Sequence, residues 1–423
     1  MTPVRDLAGR GLAAAGGVLL AAMFILVIGT AYSEEHSDRE RGALPPTDVA
    51  PSAGEEETPI EPHSDDAKLS EDDPSRPARG DAFLAWAPGS LPAGTEAAVE
   101  TMDEVRSATT VYAGLDWIDA WKLPRSEARE RPPAGYSIPF EIAAVQPGEY
   151  AAFADVRDRR AVARLRPGQA LLAATARSLR GAGRGLRIDL GERSVRVVGT
   201  VSDETTNGYE AILAGPPPPE WTRSDRFVLA RLERPRGHRA VERKIESLLP
   251  PGRPLQTRIE GENPFLRYGD AVLPQLLIKA TFGEFAARPQ PDGTLVVEGS
   301  WRRNNIRSEP VPILGRVTCH KILFPQLRAA LRDVQRQGLA HAIDPGQFAG
   351  CFYPRFINLD PGGRLSHHSW GAAFDLNSQE NTFGTKADLD MRIVEIFEDR
   401  WGFTWGGRWI VPDGMHFEWV KFP

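Results

Sequence analysis

Residues of metal-ligating type cluster near the C-terminus of this chain. The stretch Ser366-His367-His368-Ser369-Trp370-Gly371-Ala372-Ala373-Phe374-Asp375 carries two of the eight histidines, and Asp413-Gly414-Met415-His416 carries a third. Two imidazoles and one carboxylate form a ligand set that holds a catalytic zinc ion and leaves its fourth position to water. Asp375 lies in the otherwise apolar run Ala373-Phe374-Asp375-Leu376, where an acid is costly unless paired or ligated. Alone, Asp375 and His416 each read as satisfied core groups; beside Asp413 and the His367-His368 pair, they read as metal ligands. His367 and His368 would point to opposite faces of an extended backbone, so only one joins Asp375 easily, and spacing does not choose between them. Asp413, shortly before His416, is placed to take a proton from metal-activated water. Glu418 alternates onto the face of His416, as a partner for its ring or a weaker alternative base.

These side chains need a small scaffold. Residues 325–337 read as a helix, with Leu327, Leu331 and Val334 on one face and Gly338 past its end. Residues 351–357 read as a short strand carrying Arg355, and Asp360-Pro361-Gly362-Gly363 as a turn. Residues 373–377 read as a buried strand. A second helix is expected over 385–401, capped by Thr385 and ended by Gly402, and residues 416–422 as the last strand. The expected fold class for residues 316–423 is α+β, helices packed on an antiparallel sheet. Cys319 and Cys351 are the only cysteines; in an exported protein they read as one disulfide.

Ahead of this domain the chain divides by composition. Residues 1–33 hold an uncharged run, 11–33, with Arg5 and Arg10 before it and Glu34, Glu35 and Asp38 after it. That pattern suits a membrane-crossing helix with the bulk of the chain outside the cell, a cleaved signal peptide being the competing reading. Residues 34–80, acidic and rich in proline and serine, read as a disordered linker. Residues 81–250 read as a mixed α/β domain with a hairpin over 186–198 and a turn at Asn207-Gly208. Residues 251–315 read as a bridging segment in which Trp301-Arg302-Arg303-Asn304-Asn305-Ile306 forms an exposed loop or rims a cleft. With 57 acidic against 51 basic residues and a net charge of −6, nothing points to nucleic acid.

The pattern Ser366-x-His368-x-x-Gly371-x-Ala373-x-Asp375, followed by Asp413-x-x-His416-Phe417-Glu418-Trp419, resembles the VanY-type D-alanyl-D-alanine carboxypeptidase and L-alanyl-D-glutamate endopeptidase family. The resemblance covers about the last quarter of the chain. It implies that His368, Asp375 and His416 bind Zn2+, that Asp413 is the general base, that Arg355 faces the substrate, and that Ser366 holds substrate or its own loop. Met415 departs from the tryptophan that many members carry before the last histidine. The implied activity is hydrolysis of peptidoglycan stem peptides. The same site serves a carboxypeptidase or an endopeptidase, and a non-catalytic zinc-containing wall-binding module is the other reading. The middle region resembles the extracytoplasmic domains of FtsX/MacB-type permeases, through Leu91-Pro92-Ala93-Gly94, Thr109-Thr110-Val111 and the run 165–172, which implies an interaction or positioning domain with a possible protein partner.

Overall fold

The computed structural model describes residues 80–218, 225–270 and 273–423. The expected anchor and linker lie outside these residues. Among the described residues, no helix is long and apolar enough to cross a membrane.

The first half is a sheet that closes on itself. Its strands are β1 (Ala82–Trp86), β2 (Val105–Lys122), β3 (Arg129–Glu130), β4 (Ile138–Val145), β5 (Gln169–Ala173), β6 (Arg187–Leu190), β7 (Arg193–Val201), β8 (Ala211–Ala214), β9 (Asp225–Leu232) and β10 (Gln256–Ile259). The long β2 pairs with β4 over its middle and with β6 at its end. The path β2–β4–β8–β5–β7–β6 therefore returns to β2 as a barrel, which leaves no exposed edges along that circuit. Ile118, Phe140, Ile142, Leu172, Ile188 and Val197 are among the residues of one buried cluster on these strands. The remaining strands β9, β1 and β10 extend from β2 as a flap, closed by the helix His238–Glu246, whose Val241 and Ile245 are fully buried. The hairpin expected over 186–198 is β6–β7, paired from Arg187↔Arg196 to Leu190↔Arg193.

The stretch read as a bridge is shared between two cores. Gln256–Ile259 is an edge strand of the barrel sheet. The helix Gln275–Phe282 and the hairpin β11 (Ala287–Pro289) with β12 (Leu295–Val297) instead join the C-terminal core, through Ile278, Phe282, Phe285, Leu295 and Val297. Residues 299–305 are a helix, not a loop, because Trp301 is drawn inward against Phe285 and His320. Burial of such a ring stabilises by roughly 1.5–3 kcal/mol, enough to outweigh the polar run that follows it.

The C-terminal core forms around the helix Phe324–Arg336 and a three-stranded antiparallel sheet of β15 (Ala373–Asp375), β17 (His416–Trp419) and β16 (Phe403–Trp405), with β17 in the centre. A second hairpin, β13 (Ile306–Val311) with β14 (Gly315–His320), lies beside it. Leu327, Leu331 and Val334 are fully buried on one face of the helix, and Gly338 follows it at φ 74°. Phe374 and Phe417 stack at 5.5 Å beneath the sheet. The second helix begins at Met391, not at Thr385: the Asp390 carboxylate accepts from the Arg392 N–H and caps it, while the Thr385 hydroxyl donates to the Thr382 carbonyl. It continues with one π turn over Ile396–Arg400. Residues 351–357 form isolated bridges, Thr294↔Arg355 and Phe356↔Leu365, in place of a regular strand.

Candidate metal centre

Two local devices set the histidine motif. The Ser366 hydroxyl accepts from the His368 N–H at 3.3 Å and caps a 3-10 turn, His367–Trp370. The expected extended backbone is therefore absent here. Gly371 then reverses the chain at φ 64° into β15; a Cβ at this position would lie 2.6 Å from the His320 nitrogen. The glycine is required twice, for the left-handed conformation and for the close approach.

Register does the rest. Asp375 stands opposite His416 in the β15–β17 pair, a cross-strand position where side chains on one face meet. Asp375 Oδ1 lies 3.2 Å from His368 Nε2 and 3.1 Å from His416 Nδ1, and the two ring nitrogens are 3.1 Å apart. His368 Nδ1 donates to the Cys351 carbonyl oxygen at 2.9 Å, which leaves Nε2 with its lone pair toward Asp375 and His416. The structure thus brings together His368, Asp375 and His416, all buried. His367 is turned elsewhere: its Nδ1 lies 2.8 Å from Glu418 Oε2, at ion-pair distance but without hydrogen-bond alignment. Glu418 Oε2 also lies 3.5 Å from His416 Nε2.

Such a set fits a cation. Ligands at about 2.0–2.1 Å in a tetrahedral shell stand roughly 3.3 Å apart, near the separations found. Two imidazoles and an acid this close repel unless positive charge lies among them. With protons alone, burial works against a charged His416 ring, but Asp375 and Glu418 outweigh it and push its pKa up to about 10. Burial likewise opposes ionisation of Asp375 and Glu418, yet the neighbouring histidines hold both far below the usual carboxylate range. The chemistry of the three ligand atoms suits a divalent transition metal.

Asp413 sits at the rim of this cluster. Its N–H donates to the Gly406 carbonyl at 2.9 Å, its carbonyl accepts from the His416 N–H at 3.1 Å, and its carboxylate Oδ1 is buried without a hydrogen-bond partner. Burial pushes its pKa up, against the pull of His416 and with a further rise from Asp375. Trp405 Nε1 donates to the Gly414 carbonyl at 2.8 Å and fixes this turn. Arg355 and Ser366 also line the cleft. Arg355 Nη1 donates to the Phe356 carbonyl at 3.3 Å, and the guanidinium lies over the Tyr353 ring. Of the tryptophans in this domain, Trp409 lies 5.2 Å from the His416 ring and lines the cleft, whereas Trp370 is core, its Nε1 donating to the Gly283 carbonyl.

The cleft measures about 480 Å³, and the barrel half of the chain supplies part of its wall. Glu141 on β4, Arg267 in the segment after β10 and Gln275 at the start of its helix line it together with Asp375, Asp413 and His416. Sequence reasoning missed these three, since no local pattern links them to the histidine motif.

The arrangement is a candidate metal site of two histidines and one aspartate, with an acid beside it. Residues 360–419 match a family model described as D-alanyl-D-alanine carboxypeptidase. This supports, at the level of the family, a peptidase module in the C-terminal part of the chain; the match contains all three ligand candidates, Asp413 and Glu418, and stops short of Arg355. No curated protein matches the chain. Among solved structures, the periplasmic region of MacB from Actinobacillus actinomycetemcomitans is similar at 9% identity over 42% of this chain and 88% of that one, with a TM-score of 0.29. That likeness is too slight to assign a fold.

Proposed function

We propose that the chain is a zinc metallopeptidase that hydrolyses peptide bonds in peptidoglycan stem peptides, in the manner of a D-Ala-D-Ala carboxypeptidase, on the outer side of a membrane to which residues 1–33 tether it. The observation that carries this reading is the meeting of His368 Nε2, His416 Nδ1 and Asp375 Oδ1 beside the open Oδ1 of Asp413, inside a segment that matches the carboxypeptidase family. Bound there, Zn2+ would lower the pKa of a water toward ~7 and polarise the scissile carbonyl.

The protein's own groups do the remainder. His368 presents Nε2 because the Cys351 carbonyl holds Nδ1–H. Asp413 Oδ1, buried and raised in pKa, takes the proton that the attacking water gives up and delivers it to the leaving amine nitrogen as the C–N bond breaks. Arg355 turns toward the cleft as the cation for the developing oxyanion or for a substrate carboxylate. Glu418 sets the His416 ring from the far side.

The test is digestion of purified peptidoglycan by the full chain, with and without a zinc chelator, read by mass spectrometry. Chelator-sensitive release of free D-Ala supports the carboxypeptidase; a chelator-sensitive cut within the stem supports an endopeptidase on the same site. Zinc-loaded, folded protein that releases nothing would leave a wall-binding role and sink the enzymatic one.

A further inference from the structure

The wall of the cleft contributed by the barrel half carries polar atoms that the protein itself does not use. Glu141, Arg267 and Gln275 are 3%, 2% and 4% exposed. Arg267 Nη2 donates to Glu141 Oε1 at 2.8 Å, yet Arg267 Nη1 and Glu141 Oε2 have no hydrogen-bond partner. Gln275 Nε2 donates to Glu210 Oε1 at 3.3 Å, the same oxygen that accepts from the Glu141 N–H at 3.2 Å, and Gln275 Oε1 is likewise unpartnered. All three residues line the cleft that holds Asp375 and His416. Native proteins rarely leave buried polar atoms unsatisfied, and each such atom costs about 1–3 kcal/mol. Three together on one wall of a substrate-sized cleft mark a place where a ligand supplies the missing partners.

The pattern is specific. One open donor, on a cation, stands beside two open acceptors, one of them on an anion. A lone carboxylate would satisfy Arg267 but face the Glu141 oxygen; a lone ammonium would satisfy Glu141 but face the guanidinium. An uncharged amide matches the donors and acceptors but brings no charge of its own, so its bonds to Arg267 and Glu141 are charge-assisted from the protein side only. Arg267 itself lies over the Tyr209 ring, and two further arginines stand near the pair. Arg258 donates to the carbonyls of Arg267 and Gly269 and lies over the Trp86 ring, and Arg364 lies over the Tyr268 ring.

We infer that Glu141, Arg267 and Gln275 form a recognition subsite for a group carrying an ammonium and a carboxylate on one carbon, as at the side-chain end of a diamino-dicarboxylic acid within a peptide. Arg267 Nη1 donates to the carboxylate, while Glu141 Oε2 and Gln275 Oε1 accept from the ammonium. The barrel half is then part of the substrate site and not only a positioning domain. The inference rests on the peptidase reading for the peptide that carries this group.

The test is calorimetric binding to the zinc-loaded full chain, in an Asp413→Asn background, of N-acetyl-Xaa-D-Ala peptides. Xaa is diaminopimelate, its side-chain monoamide, 2-aminopimelate (carboxylate only) or lysine (ammonium only). Diaminopimelate is expected to bind about tenfold or more tightly than each of the other three. Equal binding of the four overturns the proposal without any further variant. Glu141→Gln and Gln275→Met should each erase most of the preference. The second leaves the Glu141–Arg267 pair intact, and melting temperatures are recorded for both. Preference that survives both substitutions also overturns the assignment. Preferential binding by the Asp413→Asn chain, with no hydrolysis by the zinc-loaded chain that retains Asp413, would keep this subsite and sink the peptidase reading; hydrolysis by the latter without preference in the former would do the reverse.

Discussion

His368 Nδ1 lies 2.9 Å from the carbonyl oxygen of Cys351. Cys351 is bonded to Cys319 across a sequence separation of 32, so a covalent cross-link holds the carbonyl that aims a candidate metal ligand. Outer groups of this kind set ring orientation and tautomer, and their loss lowers metal affinity by about 10–100-fold. The double variant Cys319→Ala/Cys351→Ala is expected to lose about 2–4 kcal/mol of stability and to bind zinc at least about tenfold more weakly. Denaturant titration and competition with a chromophoric chelator measure the two effects. Unchanged zinc affinity in the folded variant would show that the carbonyl keeps its place without the cross-link.

Adjacent histidines give a sharp contrast. His368 Nε2 faces Asp375 and His416, whereas His367 Nδ1 faces Glu418. His368→Ala should abolish stoichiometric zinc, and His367→Ala should retain it while releasing Glu418 from its neighbour. Elemental analysis of the purified variants decides this. Loss of zinc from His367→Ala, with the fold intact, would contradict the ligand assignment.

Asp413→Asn replaces the open carboxylate oxygen with an amide of nearly the same shape. Zinc content should be unchanged, and turnover should fall by about 10²–10⁴-fold, the range for a lost general base. Retained turnover moves that role to Glu418, which then becomes the variant to make. Steady-state kinetics on a stem peptide, beside zinc analysis, measures both parts.

How much of this the sequence discloses depends on distance along the chain. The helix Phe324–Arg336 is legible because Leu327, Leu331 and Val334 repeat at helical spacing, and β15 and β17 because apolar residues bracket Asp375 and His416. Choices between neighbouring local signals are harder. Thr385 reads as the cap, but the structure uses Asp390, since the buried Ile393, Val394, Ile396 and Phe397 fix where the helix must lie. The turn at His367–Trp370 is signalled by Ser366 and Gly371, each unremarkable alone, so an extended backbone is the natural but mistaken expectation. Closure of the barrel by β2 and β6 and the placing of Glu141, Arg267 and Gln275 beside Asp375 depend on long-range packing. No periodicity or spacing records contacts of that range.

The two halves are joined by buried charge. Lys279, fully buried on the helix Gln275–Phe282, lies 2.7 Å from Glu210 of the barrel half and 3.1 Å from Glu284, and also donates to the Pro139 carbonyl. Arg180 completes the network by pairing with Glu284 and Glu210. Lys279→Met would leave Glu210 and Glu284 to share Arg180 as their remaining buried cation, and removal of one partner from a buried pair costs up to about 3–5 kcal/mol. Denaturant unfolding should show that loss, and adding Glu210→Gln should recover part of it. A near-neutral Lys279→Met would mean that the network contributes little to holding the halves together.

His320 supplies a pH dependence separate from the metal ligands. It is 2% exposed, edge-on to Phe282 at 5.0 Å, and its Nδ1 accepts from the Ile322 N–H. Burial pushes the ring pKa down from 6.5 to about 4. Between those values the unfolded chain takes up a proton that the folded chain refuses, so the stability tied to this neutral ring is full above pH 6.5 and is lost as pH falls toward 4. The loss amounts to at most about 3 kcal/mol, at 1.36 kcal/mol per unit. His320→Leu keeps an apolar group against Phe282 and removes the titration. Metal-free protein and variant, unfolded by denaturant at neutral pH and again near pH 4.5, should then differ in slope, the variant losing less stability on acidification. Parallel losses would place the acid sensitivity in the ligand cluster instead of His320.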